Sequence, residues 1–228
     1  MLLYVVRHGE PDYSTDTLTE LGWRQAEAVS DRMAAVGIEE IFASPMGRAR
    51  QTATPTSRRL SLPITVEPWA EELGKESQTV YPDGKMKNIF MVPTTKLACT
   101  EHLNINMEDS FTQCPGLNDN GFISRYQYIA NGIDSLIERH GYRRNGRGFY
   151  QATEPNEKRI ALFCHAGMMR VVVSHVFNIP YQMVGSSFQA WFTGVTLIRF
   201  PEDAEVGAEV APRLISYGDI GHLGGDPY

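Results

Sequence analysis

Leu2-Leu3-Tyr4-Val5-Val6-Arg7-His8-Gly9 is the stretch whose reading decides the fold. Its apolar run suits a strand buried on both faces, as in the interior of a parallel sheet. A guanidinium and an imidazole follow where the run ends, and open α/β sheets bind ligands at the carboxyl ends of their strands. Gly9 and Pro11 close the element. A second run, Arg159-Ile160-Ala161-Leu162-Phe163-Cys164, repeats the design and leads into His165-Ala166-Gly167. A third candidate, Ile38 to Ala43, ends at Ser44 and continues toward Arg48.

Helical spacing separates these runs. Leu21, Ala26, Val29 and Met33 share one helical face, and Gly37 is a stop signal. Ser44-Pro45 reads as a helix opening, with a serine cap and a proline in the first turn, for a helix through Ala49, Ala53 and Leu60. Ile64 to Val66 is a short strand. Ile123 to Arg139 regains helical spacing, Gly141 to Pro155 reads as a surface loop, and Gly167 to Phe177 as a helix. Val195 to Phe200 and Leu214 to Tyr217 are late strands. Alternating strands and helices predict an α/β fold: three αβα layers around a doubly wound, mostly parallel sheet. The segment from about Glu71 to Asn118 has weak periodicity and mixed Gly, Pro and polar residues, so it reads as an insertion. The expectation is one domain over residues 1–228 with a lid at 75–122.

The chain has 228 residues, long enough to bury about 70% of its unfolded surface. Its 21 Lys and Arg against 27 Asp and Glu give a net charge of −6, which disfavours a nucleic-acid partner but leaves room for a local basic pocket. Cys99, Cys114 and Cys164 form no metal-binding pair, and an odd cysteine count suits a reducing compartment. No run reaches the length of a bilayer span, and the N-terminal apolar stretch is too short for a signal peptide. The expectation is a cytoplasmic protein with no membrane partner, no metal and no cofactor, and with a homodimer as the assembly to test.

Arg7, Arg48, His8 and His165 can converge although they are distant in sequence. Forked guanidinium donors match phosphate oxygens, and a neutral imidazole can attack phosphorus. Cys164 to Arg170 offers a rival, because Cys-x5-Arg resembles the phosphate loop of cysteine-dependent phosphatases. Phe163 stands where that family carries a His, and Val171 where it carries a hydroxyl.

Arg7-His8-Gly9-Glu10 resembles the signature of the histidine phosphatase superfamily, with its phosphoglycerate-mutase-like fold. Leu18-Thr19-Glu20-Leu21-Gly22-Trp23-Arg24-Gln25-Ala26 is similar to its second block, and Ser44-Pro45-Met46-Gly47-Arg48-Ala49-Arg50-Gln51-Thr52-Ala53 to its third. Cys164-His165-Ala166-Gly167 resembles the block of the second histidine, and Gly221-His222-Leu223 a common C-terminal element. The blocks follow the family's order. The resemblance implies that His8 is a nucleophile forming a phosphohistidine and that Arg7, Arg48 and His165 bind the phosphoryl group. It also implies a carboxylic acid that protonates the leaving oxygen. Trp69-Ala70-Glu71 matches the expected Leu-x-Glu pattern with Trp for Leu, which makes Glu71 the first choice and Glu72 the alternative. Ser14 stands nearest an Asn that serves many relatives as a phosphate donor. The function so implied is metal-independent hydrolysis of a small phosphorylated metabolite. A phosphoglycerate-type mutase and a non-catalytic phospholigand-binding protein are the alternatives.

Overall fold

The computed structural model describes residues 1–74, 78–80, 86–88 and 121–224. The lid expected at 75–122 therefore lies almost wholly outside the described residues, as do Cys99 and Cys114. The central sheet has six strands: β1 (Leu2–Arg7), β2 (Glu40–Ala43), β3 (Ile64–Val66), β4 (Arg159–Cys164), β5 (Val195–Arg199) and β6 (Arg213–Asp219). Their order is β6-β5-β1-β4-β2-β3. The β1–β4, β4–β2 and β2–β3 pairs are parallel, whereas β5 and β6 add an antiparallel edge beside β1. Among the described residues five helices accompany the sheet: α1 (Glu20–Val36), α2 (Gly47–Leu60), α3 (Phe122–Glu138), α4 (Ala166–Phe177) and α5 (Tyr181–Ser187).

The apolar runs build two cores because successive strand side chains face opposite sides of a sheet. Leu3, Val5, Ile160, Leu162 and Cys164 pack with Ile129 and Ile133 of α3 and with Met168 and Val172 of α4. Tyr4, Val6, Ile41, Ala161 and Phe163 pack instead with Val29 and Met33 of α1 and Ala53 of α2. The result is the expected three-layer αβα architecture with a mostly parallel sheet. Among the described residues no helix is long and apolar enough to cross a membrane.

Gly37 ends α1 in the left-handed conformation at φ 70°, as its sequence position signals. Two local readings need correction. Helix α2 opens at Gly47 after Met46, not at Ser44-Pro45, and the Met46 side chain does not cap it. The Ser44 hydroxyl is instead engaged by the Met46 N–H and the His165 ring. The stretch read as a loop from Gly141 to Pro155 contains two strands, Tyr142–Arg144 and Tyr150–Ala152, which pair with each other. The buried Tyr142 and Tyr150 rings pack around Phe200, so this polar segment closes one end of the core.

Candidate active site

Parallel register brings the reactive residues together. Arg7 lies opposite Cys164 on β1 and β4, and Ala43 lies opposite Phe163 on β2 and β4. The ladder continues past the strand ends. His8 N–H donates to the Cys164 carbonyl at 2.9 Å, and Ser44 N–H to the Phe163 carbonyl at 2.9 Å. His8 and His165 therefore emerge side by side, with ring centroids 5.2 Å apart, and Nε2 of His165 lies 2.8 Å from Ser44 Oγ. Arg48 reaches the same place from the first turn of α2.

The sequence blocks around these residues brace the loop after β1. Gly9 N–H donates to Thr52 Oγ1 at 3.0 Å, and Glu10 N–H to Gln25 Oε1 at 2.8 Å. Thr19 caps α1 by accepting from Gly22 N–H at 3.0 Å, and its hydroxyl donates to a Glu10 carboxylate oxygen at 2.9 Å. Gly22 lies so close to this loop that a Cβ there would come within 2.1 Å of the Glu10 carbonyl oxygen. Side chains from α1 and α2 thus fix the backbone beside His8.

A cleft of about 430 Å³ opens at these strand ends. Arg7, His8, Arg48 and Glu72 line it, with Tyr13, Arg170 and Gln189 among its other walls. Arg7 donates to the Ala190 carbonyl at 2.6 Å and stacks its guanidinium 4.1 Å from the centre of the Phe192 ring. Arg48 is ion-paired to Asp16, whose other carboxylate oxygen accepts from Gly47 N–H at 2.6 Å. Arg7 Nε, Arg48 Nε and His165 Nδ1 are buried with no hydrogen-bond partner among the described residues. Buried polar groups are normally satisfied, and two of these residues, Arg7 and Arg48, line the cleft, where guanidinium donors suit an anion.

The electrostatics keep both imidazoles neutral. Burial, reinforced by Arg7 and Arg48, lowers the pKa of His8 to about 3, against the opposing pull of its bond to the Gly9 carbonyl. Burial also lowers His165 well below the ordinary histidine range, and the neighbouring His8, Arg48 and Arg7 act in the same direction. Nδ1 of His8 lies 2.7 Å from the Gly9 carbonyl, which can only accept. The ring hydrogen therefore sits on Nδ1, leaving Nε2 with its lone pair.

The structure separates the two acid candidates. Glu71 is exposed and outside the cleft, and its carbonyl accepts from Arg125 at 2.8 Å. Glu72 lines the cleft, and its carboxylate accepts from Gly167 N–H at 3.2 Å and Met168 N–H at 3.0 Å, in the first turn of α4. Helix N-termini favour carboxylates at such amides. Ser14 is exposed and bonded to Asp12 at 2.6 Å, outside the cleft lining. Tyr13, on the cleft wall, and Asp16, paired with Arg48, are two residues that the sequence reading did not single out. Asp16 sits in a left-handed turn at φ 53°, and nothing in its sequence neighbourhood signals that it folds back onto Arg48.

The thiol rival fails on geometry. Cys164 is wholly buried, burial pushes its pKa up, and its side chain lies in the core against α3 and α4. Arg143, Arg144 and Arg147 do not line the cleft. Arg143 and Arg147 pair with Glu138 and Glu209, and Arg144 bonds Asn178 at 2.7 Å. Among the described residues no group of three or more His, Cys, Asp or Glu is placed to hold a metal ion.

Comparison with known proteins agrees with this geometry. Residues 3–76 match the model of the histidine phosphatase superfamily (branch 1). A probable phosphoglycerate mutase GpmB of Proteus mirabilis (strain HI4320) is 34% identical over 80 residues, covering 31% of this chain and 37% of that protein. The GpmB of Yersinia pestis (strain Pestoides F) is 36% identical over the same lengths. The matched stretch thus spans little more than a third of these relatives. Over nearly the whole chain the fold is similar to a phosphoserine phosphatase from Entamoeba histolytica, solved in complex with 3-phosphoglyceric acid. Its TM-score is 0.65 at 18% identity, covering 97% of this chain and 98% of that one. Bacillus stearothermophilus YhfR gives 0.59 at 20% identity, with the same coverage. The ordered sequence blocks, the matched N-terminal third and the paired histidines at adjacent strand ends make the chain similar to the histidine phosphatase superfamily (branch 1) over residues 3–76.

Proposed function

We propose that the protein hydrolyses a small phosphorylated metabolite through a phosphohistidine on His8. The observation that carries this reading is the neutral His8 ring, locked by Nδ1–H to the Gly9 carbonyl, with Nε2 left as the nucleophile in a cleft that two guanidiniums also line. Nε2 attacks phosphorus as the ester oxygen leaves. Arg7, Arg48 and His165 hold the phosphoryl oxygens and offset the charge that develops on them. With Ser44 donating to its Nε2, His165 carries hydrogen on the unpartnered Nδ1 and serves as a further donor.

Glu72, rather than Glu71, is the acid that protonates the leaving oxygen, and it then takes a proton from the water that attacks the phosphohistidine. Its support is its place on the cleft wall, where two amides of α4 fix the position of its carboxyl group. Ser14 has no part in the cradle in this reading. The names of the GpmB relatives keep the mutase alternative in view. A panel of phosphomonoesters read for both free phosphate and phosphate migration decides among the readings. The proposal expects phosphate release that His8→Ala abolishes. Migration without release would favour a mutase, and tight ester binding without either reaction would favour a binding protein. Light scattering during turnover tests the homodimer expectation.

A further inference from the structure

A chain of polar contacts that the proposed chemistry does not use runs from the His8 carbonyl through residues that do not line the cleft. Thr193 is fully buried immediately before β5 and holds φ at 53°. A β-branched residue in the left-handed region is a strained outlier and persists only where its surroundings hold it. Its backbone N–H donates to the His8 carbonyl at 3.2 Å. Its hydroxyl donates to the Phe192 carbonyl at 2.8 Å, which leaves Oγ1 free only to accept from the His222 ring, 3.0 Å away. Nε2 of His222 therefore carries the hydrogen. Nδ1 of the same ring then accepts from Arg32 at 3.4 Å, and Arg32 also donates to Asp219 at 2.7 Å. Every donor and acceptor in this chain has one consistent assignment.

We infer that His222 is a positioning residue for His8, acting through Thr193. The segment that Thr193 belongs to holds the nucleophile and its neighbour at four points. Ala190 accepts from the Arg7 side chain, the Phe192 ring lies against Arg7 and His8, Thr193 donates to the His8 carbonyl, and Gly194 accepts from Arg7 N–H. His222 comes from a short turn, Gly221–Leu223, just after β6, so the C-terminal edge of the sheet sets the backbone at the end of β1. The inference rests on the phosphohistidine reading for its kinetic consequence, though not for its geometry.

Four variants of the full chain test it: His222→Ala, His222→Gln, Thr193→Gly and the double variant Thr193→Gly/His222→Ala. Gln presents an N–H donor close to the position of Nε2, and glycine adopts φ 53° without strain. His222→Ala should slow phosphoenzyme formation by about tenfold or more while KM stays within about twofold, the pattern of a displaced nucleophile. His222→Gln should recover most of the rate, and in the Thr193→Gly background His222→Ala should cost little. Equal losses in the Ala and Gln variants, or an undiminished His222→Ala effect in the Thr193→Gly background, would overturn the inference. Should His222→Ala fail to fold, Thr193→Val, which puts a methyl group in place of the hydroxyl that His222 reaches and keeps the β-branched shape, must reproduce the slow step. Wild-type protein that forms no phosphoenzyme would sink the hydrolase reading alone. Hydrogen exchange at the Thr193 amide would still decide the relay: faster exchange in His222→Ala than in His222→Gln supports it, and equal rates refute it.

Discussion

Single atoms decide the chemistry proposed for this chain. The Gly9 carbonyl fixes the His8 tautomer, and two amides of α4 select Glu72 over its neighbour. The proposal therefore expects Glu72→Gln to lower kcat by about 10²- to 10⁴-fold on an ester with a poor leaving group, and Glu71→Gln to change it by less than about twofold. Steady-state kinetics on both variants checks this, and a loss confined to Glu71→Gln would reverse the assignment. The pair shows what a sequence pattern leaves open. Arg7 and His8, Arg48, and His165 could be singled out because they fall in three distinct blocks, each next to a readable strand or helix. Glu71 and Glu72 are adjacent on extended backbone, where successive side chains point to opposite sides. Only the packing of Trp69 and α3 against the sheet tells which one faces the cleft.

Elements act as the mounts for those atoms. Trp69 is buried beside α3, its indole N–H donates to Glu67 at 2.6 Å, and Glu67 in turn pairs with Arg139 at the end of α3. A Cβ on Gly132 of α3 would come within 2.2 Å of the Trp69 ring. Gly132→Ala should therefore cost about 1–3 kcal/mol of stability by overpacking. Because Trp69 precedes Glu72 by three residues, the same change should lower kcat more than it raises KM. Denaturant unfolding and steady-state kinetics check the two parts, and an unchanged midpoint would contradict the packing described. Element boundaries were less legible than element types. Helix α2 starts at Gly47 rather than Ser44 because the Ser44 hydroxyl is drawn to His165, a contact across 121 residues that no local pattern encodes. The strands around Tyr142 and Tyr150 were hidden by their polar neighbours, since their rings find an apolar environment only once Phe200 is in place.

At the scale of the molecule, the sheet buries imidazoles in their neutral form. An unfolded histidine takes up a proton near pH 6.5, whereas His8 is held to about 3 and His222 to about 4, both chiefly by burial, and His165 is also held well below 6.5. Below about pH 6.5 the unfolded chain therefore binds more protons than the folded protein, and stability falls as pH falls. His8 and His165 each contribute up to about 1.4 kcal/mol per pH unit in that window, and the more accessible His222 contributes less. Denaturant unfolding at pH 7 and pH 5 should show this loss, and replacing His8 and His165 with Asn should flatten it. Equal stability of the wild type at both pH values would contradict neutral burial. The three-layer architecture was readable from the apolar runs at Leu2 and Ile160, whose alternate residues feed two cores. The strand order was not, because pairing β1 with both β4 and the antiparallel β5 depends on contacts far apart in the chain.

The most direct test of the account is where a transferred phosphoryl group lands. Wild-type protein mixed with a labelled phosphomonoester, quenched in base within milliseconds and digested under non-acidic conditions, should yield one labelled peptide with the phosphate on Nε2 of His8. His8→Ala should yield none, and Cys164→Ser should label as the wild type does. Label on Nδ1 of His8, on Cys164 or on no residue during rapid turnover would contradict the account.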